Sequence, residues 1–168
     1  MRAAHAAAAS ARSWRCWGMT SPAALQLCSQ LASHLDHELA VHRGLLQLAE
    51  AKQRLLVAND GAALTALVEK EHPVLAEAAR LRPMRERLVH AVAAALGLTE
   101  VRRLEDIATR APAALKPQLA AKGRDLKTVL ERLRELNDRN QFLLRQGLGL
   151  VREMLDAFLP QPTAPAAA

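Results

Sequence analysis

Alanine and leucine dominate this chain and restrict the folds open to it. Of the 168 residues, 35 are Ala and 30 are Leu, and both types favour helices. Only nine Val, one Ile and two Phe accompany them, and Tyr is absent. Because a sheet needs β-branched and aromatic side chains on its pleated faces, the sequence predicts an all-α protein. The hydrophobic fraction of 51% is too high for a disordered chain.

The positive charge is unevenly distributed along the chain. The formal net charge is +6, and residues 1–18 supply half of it through Arg2, Arg12 and Arg15, with no acidic residue. We expect residues 1–18 to be a disordered basic leader, either sequence upstream of a true start at Met19 or a segment loosely like a transit peptide. The remainder mixes both signs, which is typical of a solvated helical surface rather than of a nucleic-acid binder.

The first long helix is predicted from its start signal and its apolar spacing. Ser21 is a suitable N-cap and Pro22 suits the first helical position, and we expect the helix to run to about Val57. Small or apolar residues then recur at alternating steps of three and four, which predicts coiled-coil-like packing. These seam residues are Leu25, Cys28, Ala32, Leu35, Leu39, His42, Leu46 and Ala49.

A second helix is predicted over residues 61–96. Asp60 can cap its start, and Gly97 can end it. Pro73 and Pro83 lie inside this range, and each removes a backbone donor. We therefore expect kinks or a break at the two prolines.

The C-terminal part of the chain is predicted to form a short helix and then a long one. Thr99 is a suitable start for the short helix, and the long helix should run from about Ala113 or Gln118 to Leu159. Helices of this length span on the order of 50 Å. We therefore expect one domain over residues 19–159, an elongated antiparallel helical bundle or coiled-coil hairpin with a long C-terminal helix. The Pro- and Ala-rich residues 160–168 are expected to be a disordered tail.

The last helix carries the most informative pattern. Its predicted seam consists of Leu126, Leu130, Leu133, Asn137, Asn140, Leu144, Gly147, Val151, Met154 and Phe158. Asn137 and Asn140 take consecutive seam positions, where buried polar residues weaken packing but fix register. Beyond them the helix has an apolar face wider than one seam, and Gly147 and Gly149 should weaken the helix by roughly 1 kcal/mol each. Such a face suits docking of another helix, and the alternative is that it completes the bundle core.

No motif predicts catalysis, a cofactor or a metal. Both GxxxxGK and GxSxG are absent. His34, Glu38 and His42 line one helix face without the spacing of a zinc motif, and Glu69 and His72 lack the second such pair that a di-iron bundle needs. We interpret both groups as ordinary helix faces, and we expect no enzymatic activity.

A cluster of four arginines is the remaining candidate for binding. The residues are Arg80, Arg82, Arg85 and Arg87. A solvated helix face, a docking surface for an acidic partner and a phosphate contact with nucleic acid all remain open. No stretch reaches the roughly 20 apolar residues of a membrane span, so we expect no stable membrane insertion.

Three segments resemble the FlgN family of flagellar type III export chaperones in their order and spacing. The segments are residues 46–56, 60–71 and 133–144, the last with the pattern LxxLNxxNxxLL. The resemblance implies a cytoplasmic, non-catalytic helical protein that binds the hook–filament junction proteins FlgK and FlgL and passes them to the export apparatus. Two cysteines without a disulfide or metal spacing agree with a reducing compartment.

The resemblance also implies where cargo binds. Asn137 and Asn140 match the paired asparagines of the family, and the amphipathic stretch after them is expected to hold the cargo. Its apolar residues are Leu143, Leu144, Leu148, Val151, Met154, Leu155 and Phe158. Two other functions remain as alternatives: a structural coiled coil that homo-oligomerises through the same seam, and a basic helical protein associated with nucleic acid.

Overall fold

The computed structural model describes residues 21–101 and 103–158, and all regular structure within these ranges is helical. The four helices are α1 (Pro22–Ala58), α2 (Gly61–Leu96), α3 (Leu104–Arg110) and α4 (Lys116–Phe158). The prediction of an all-α protein is confirmed. The expected basic leader, the expected start at Met19 and the expected Pro/Ala tail lie outside the described residues.

Local turn chemistry places the ends of the first two helices. The Asp60 carboxylate accepts a hydrogen bond from the backbone N–H of Ala63 at 3.0 Å and so caps α2, as predicted. Asn59 ends α1 in the left-handed conformation at φ 53°, and Gly97 ends α2 at φ 68°. Ser21 does precede α1, but its side chain makes no capping hydrogen bond.

Of the kinks or break expected at the two prolines, the break does not occur, and the predicted start of the short helix is wrong. The helix α2 continues through Pro73 and Pro83 without a break. Both prolines are exposed, so water can bond the carbonyl groups that the missing amides leave free. The short helix α3 begins five residues after Thr99, because the Asp106 carboxylate accepts a hydrogen bond from the Arg103 N–H at 2.9 Å and fixes the first turn there.

The helix α2 runs antiparallel to α1. Lys52 near the end of α1 forms an ion pair with Glu71 near the start of α2, and Glu38 further back on α1 pairs with Arg85 further along α2. This arrangement is the hairpin expected from the short turn after Ala58.

The helix α4 packs on another side of α1 and runs parallel to it. Lys122 early in α4 pairs with Asp36, and Asn140 later in α4 bonds to Ala49. Within the described residues, α2 and α4 have no Cα atoms within 8 Å of each other. The bundle is therefore up, down and up, with α1 as the helix that both neighbours share.

The buried core lies at one end of this bundle, where α3 packs. The core residues are Cys28, Leu31, Ala32, Leu35 and Leu39 of α1, Val92 of α2, Ile107, Ala108 and Ala111 in and after α3, and Leu119 and Leu126 of α4. Burial there raises the pKa of the Cys28 thiol. At the opposite end, none of the residues 50–58, 61–70 or 141–158 is fully buried. The bundle is thus sealed at one end and loosely covered at the other.

A buried ion pair joins α1 to α2 between these two ends. The Glu38 side chain is 1% exposed, and it bonds to the side chain of Arg85, which is 23% exposed. The second carboxylate oxygen of Glu38 has no hydrogen-bond partner in the described structure. One turn earlier, His34 Nε2 donates to the carbonyl oxygen of Leu81 at 3.1 Å. We infer that these directional contacts set the register of α2 on α1.

We expect the Arg85→Met variant to be less stable by about 3 kcal/mol, because it leaves the buried Glu38 carboxylate without its cation. The matched control is Arg82→Met on the same helix, because Arg82 is exposed and pairs with the exposed Glu86. This control should stay within about 0.5 kcal/mol of the parent. Urea unfolding followed by far-UV circular dichroism measures both, and equal effects would contradict the role of the buried pair.

Candidate functional site

The structure separates the two asparagines that were predicted to share the seam of α4. Asn140 is buried, and its amide donates to the carbonyl oxygen of Ala49 on α1 at 2.9 Å. Its side-chain oxygen has no partner among the described residues. Asn137 is exposed instead. The seam prediction therefore holds for Asn140 and is wrong for Asn137.

The observed seam of α4 differs from the predicted one in one of its two rows. The rows that face the bundle are Leu119, Leu126, Leu133 and Asn140, and Val129, Leu136 and Leu143. Leu130 and Leu144, which were predicted in the second row, are 38% and 40% exposed. Leucines stand on both sides of the first row, so periodicity alone cannot select the side that packs against α1.

The apolar face predicted to hold cargo lies open at the end of α4. Leu143 is half-buried, whereas the other predicted contacts are exposed by between 40% and 82%. These exposed residues are Leu144, Leu148, Val151, Met154, Leu155 and Phe158. Leu150, which was not among the predicted contacts, is also exposed. Its signal in the sequence is its position seven residues after Leu143, in the second row of the observed seam.

The part of this face after about residue 149 lacks a neighbour because α1 ends before α4 does. Asn140 lies opposite Ala49 and the two helices run parallel, so the end of α1 at Ala58 falls opposite roughly residue 149. The last turns of α4 therefore extend past the tip of the hairpin. At 100° per residue, the apolar residues from 143 to 158 continue the seam and cover about 160° of the helix surface.

A separate groove lies near the sealed end of the bundle, between α2 and α4. Its volume is about 680 Å³, and charged residues of both signs form its rim. Its apolar lining consists of Val89, Val101, Leu104, Leu126 and Leu130. No sequence pattern indicated this groove, because it depends on how far apart α2 and α4 lie.

The predicted arginine cluster is largely engaged within the chain. Arg80 donates two hydrogen bonds to Glu77, at 2.8 and 2.9 Å, and these bonds lower the pKa of the Glu77 carboxyl group. Arg82 and Arg85 also form ion pairs, whereas Arg87 is exposed. The three carboxylate partners are Glu77, Glu86 and Glu38. This pairing leaves less of the cluster's charge available to an acidic surface or to phosphate.

The histidines and glutamates considered as metal ligands have other surroundings. His42 Nδ1 donates to the backbone carbonyl of Glu38 at 2.8 Å, and both Glu69 and His72 are exposed. Across residues 21–101 and 103–158, no group of three or more His, Cys, Asp and Glu is placed to hold a metal ion. In the same ranges, no helix is long and apolar enough to cross a membrane.

The described residues form a helical bundle that leaves one amphipathic segment uncovered. The family model described as FlgN protein matches residues 19–167. The chain therefore belongs to the FlgN family, a family of flagellar export chaperones without enzymatic activity, and the resemblance seen in the sequence is confirmed. No curated protein and no solved structure matches the chain significantly.

We expect Asn140→Ala to destabilise the protein by about 1–2 kcal/mol, because it removes a buried hydrogen bond and leaves a small cavity. Asn137→Ala makes the same chemical change at an exposed site three residues away, so it should have an effect within about 0.5 kcal/mol. Thermal and urea unfolding compare the two variants. An equal loss in both would place Asn140 outside the interface between α1 and α4.

Proposed function

We propose that this protein is a cytoplasmic chaperone for hook–filament junction proteins of the FlgK and FlgL type. In this proposal the open end of α4 binds an amphipathic terminal helix of the cargo, prevents its premature assembly and delivers it to the export apparatus. The observation that carries the proposal is the uncovered apolar face of α4 in a chain of the FlgN family.

The physical basis of binding would be burial of apolar surface. A helix that is already formed and amphipathic can accept a partner helix on its apolar face without changing its own backbone. The gain is about 25 cal/mol for each Å² buried, before the costs of ordering and of lost translational freedom. Phe158 is 82% exposed and several leucines are more than half exposed, so much of this area is uncovered before binding.

The two asparagines would have different roles in this mechanism. Asn140 is held against Ala49 and is covered, so in our proposal it anchors α4 at the base of the site. Asn137 is exposed and can still contact a partner that extends along α4. Direct contact with cargo is assigned mainly to the apolar residues from Leu143 to Phe158.

Homo-oligomerisation through the same face is the alternative that this geometry also favours. Two copies can cover their apolar segments by pairing, as cargo would. The nucleic-acid alternative has less support, because three of the four clustered arginines already bond to carboxylates of the chain.

Truncation of the chain before Leu143 is expected to abolish binding of purified FlgK and FlgL from the same organism. Helicity by circular dichroism should largely remain, because none of the residues 141–158 is fully buried. Isothermal titration calorimetry measures the affinity. Unchanged affinity would refute the role of this segment, and concentration-dependent mass without any cargo binding would favour homo-oligomerisation.

A point-variant pair in the full-length chain makes the same test without truncation. Val151→Lys places a charge within the apolar face, whereas Glu153→Lys places the same side chain on the opposite, charged face. We expect the first variant to lower affinity by about 100-fold or more, and the second to change it by less than about threefold. Similar effects of both would indicate a general charge effect rather than a specific face.

A further inference from the structure

Gly147 occupies the centre of the open apolar face of α4. It lies seven residues after Asn140 and therefore continues the row of α4 that packs on α1. The four residues around it on the helix surface, three and four positions away in each direction, are all apolar. They are Leu143, Leu144, Leu150 and Val151.

No contact within the described structure requires glycine at this position. A Cβ atom added to Gly147 would have no neighbouring atom within 4 Å, and the residue does not have a positive φ. Glycine also destabilises a helix relative to alanine, because the unfolded chain has more freedom to lose. The missing side chain therefore leaves an open position between four apolar positions of the helix surface, called the notch below, that this chain does not fill.

Gly149 provides an internal comparison, because it lies on the opposite face of the same helix. It also has no atom within 4 Å of an added Cβ and no positive φ. Its four neighbours on the helix surface, however, are all charged or polar. They are Arg145, Gln146, Arg152 and Glu153. The two glycines are therefore alike in their effect on the helix and opposite in their surroundings.

We propose that the notch at Gly147 receives one bulky apolar side chain, of the size of Leu, Met or Phe, from an amphipathic helix of the cargo. This inference rests on the proposed function and adds a residue that determines specificity and register. In helix pairs, a large side chain of one helix inserts between four residues of the other. When one of the residues that form such a hole is a glycine, as Gly147 is here, the hole is deeper and the two backbones can approach more closely.

The occupant is assigned as a helix because the notch continues an existing helix–helix interface. The same row of α4 packs on α1 through Leu126, Leu133 and Asn140 before it reaches Gly147. Gly147 lies opposite the last residues of α1, yet an added Cβ there has no atom within 4 Å, so α1 no longer covers this row and another helix can take its place. Residues 143–158 are about 24 Å long, which corresponds to a cargo helix of about four turns.

The test compares Gly147→Leu with Gly149→Leu in the full-length chain. Both variants add the same side chain to the same helix, but only the first fills the notch. Calorimetry with purified FlgK from the same organism should show affinity reduced by about tenfold or more for Gly147→Leu, because the incoming side chain meets an occupied hole. Gly149→Leu should change affinity by less than about twofold.

Two outcomes would overturn the inference. Equal effects of both variants would show that the glycines act through helix flexibility, and unchanged or increased affinity of Gly147→Leu would show that no side chain occupies the notch. Val151→Lys separates this result from failure of the proposed function. If Val151→Lys abolishes binding while Gly147→Leu does not weaken it, the notch is refuted and the chaperone site stands. If neither variant weakens binding, both proposals fail.

Discussion

The packing of α2 and α4 on α1 is the constraint on which the rest of the structure depends. Within the described residues no Cα atoms of these two helices come within 8 Å of each other, so each is positioned mainly through α1 and the region around α3. The contact with α2 includes polar interactions such as Glu38 with Arg85 and Lys52 with Glu71. The contact with α4 combines apolar packing with the ion pair of Lys122 with Asp36 and the hydrogen bond of Asn140. Directional bonds therefore align both helices on α1, and hydrophobic burial holds them there.

The site follows from the unequal lengths of these helices. Asn59 and Asp60 turn the chain after Ala58, whereas α4 continues its apolar pattern to Phe158. A short turn, rather than any change in the composition of α4, is thus what leaves the apolar face after about residue 149 without a neighbour. The same seam that packs against α1 is exposed where α1 ends.

Much of this architecture could be predicted from the sequence, because strong helix formers and local caps determine it. Asp60 capped the start of α2 and Gly97 ended it as expected, since their effects depend on neighbouring backbone atoms. The choice between Leu136 and Asn137 in the seam could not be predicted, because it depends on how α4 rotates against α1. The pairing of Arg85 with Glu38 was also missed, because the two residues are 47 positions apart and only the fold brings them together. The position of the open face was predicted on the helix, but the reason for its exposure required the end of α1.

The uneven core has a consequence for how the molecule fluctuates. Local opening of a protein requires little free energy where few apolar groups are buried, and nearly the full unfolding free energy where the core is dense. Backbone amides near Cys28 and Leu35 should therefore resist hydrogen exchange far longer than those after Ala49 or Asn140. The two ends of one continuous helix thus belong to different units of stability. In the proposed function, a partner would therefore be taken up and released at the sparsely buried end while the dense end stays folded.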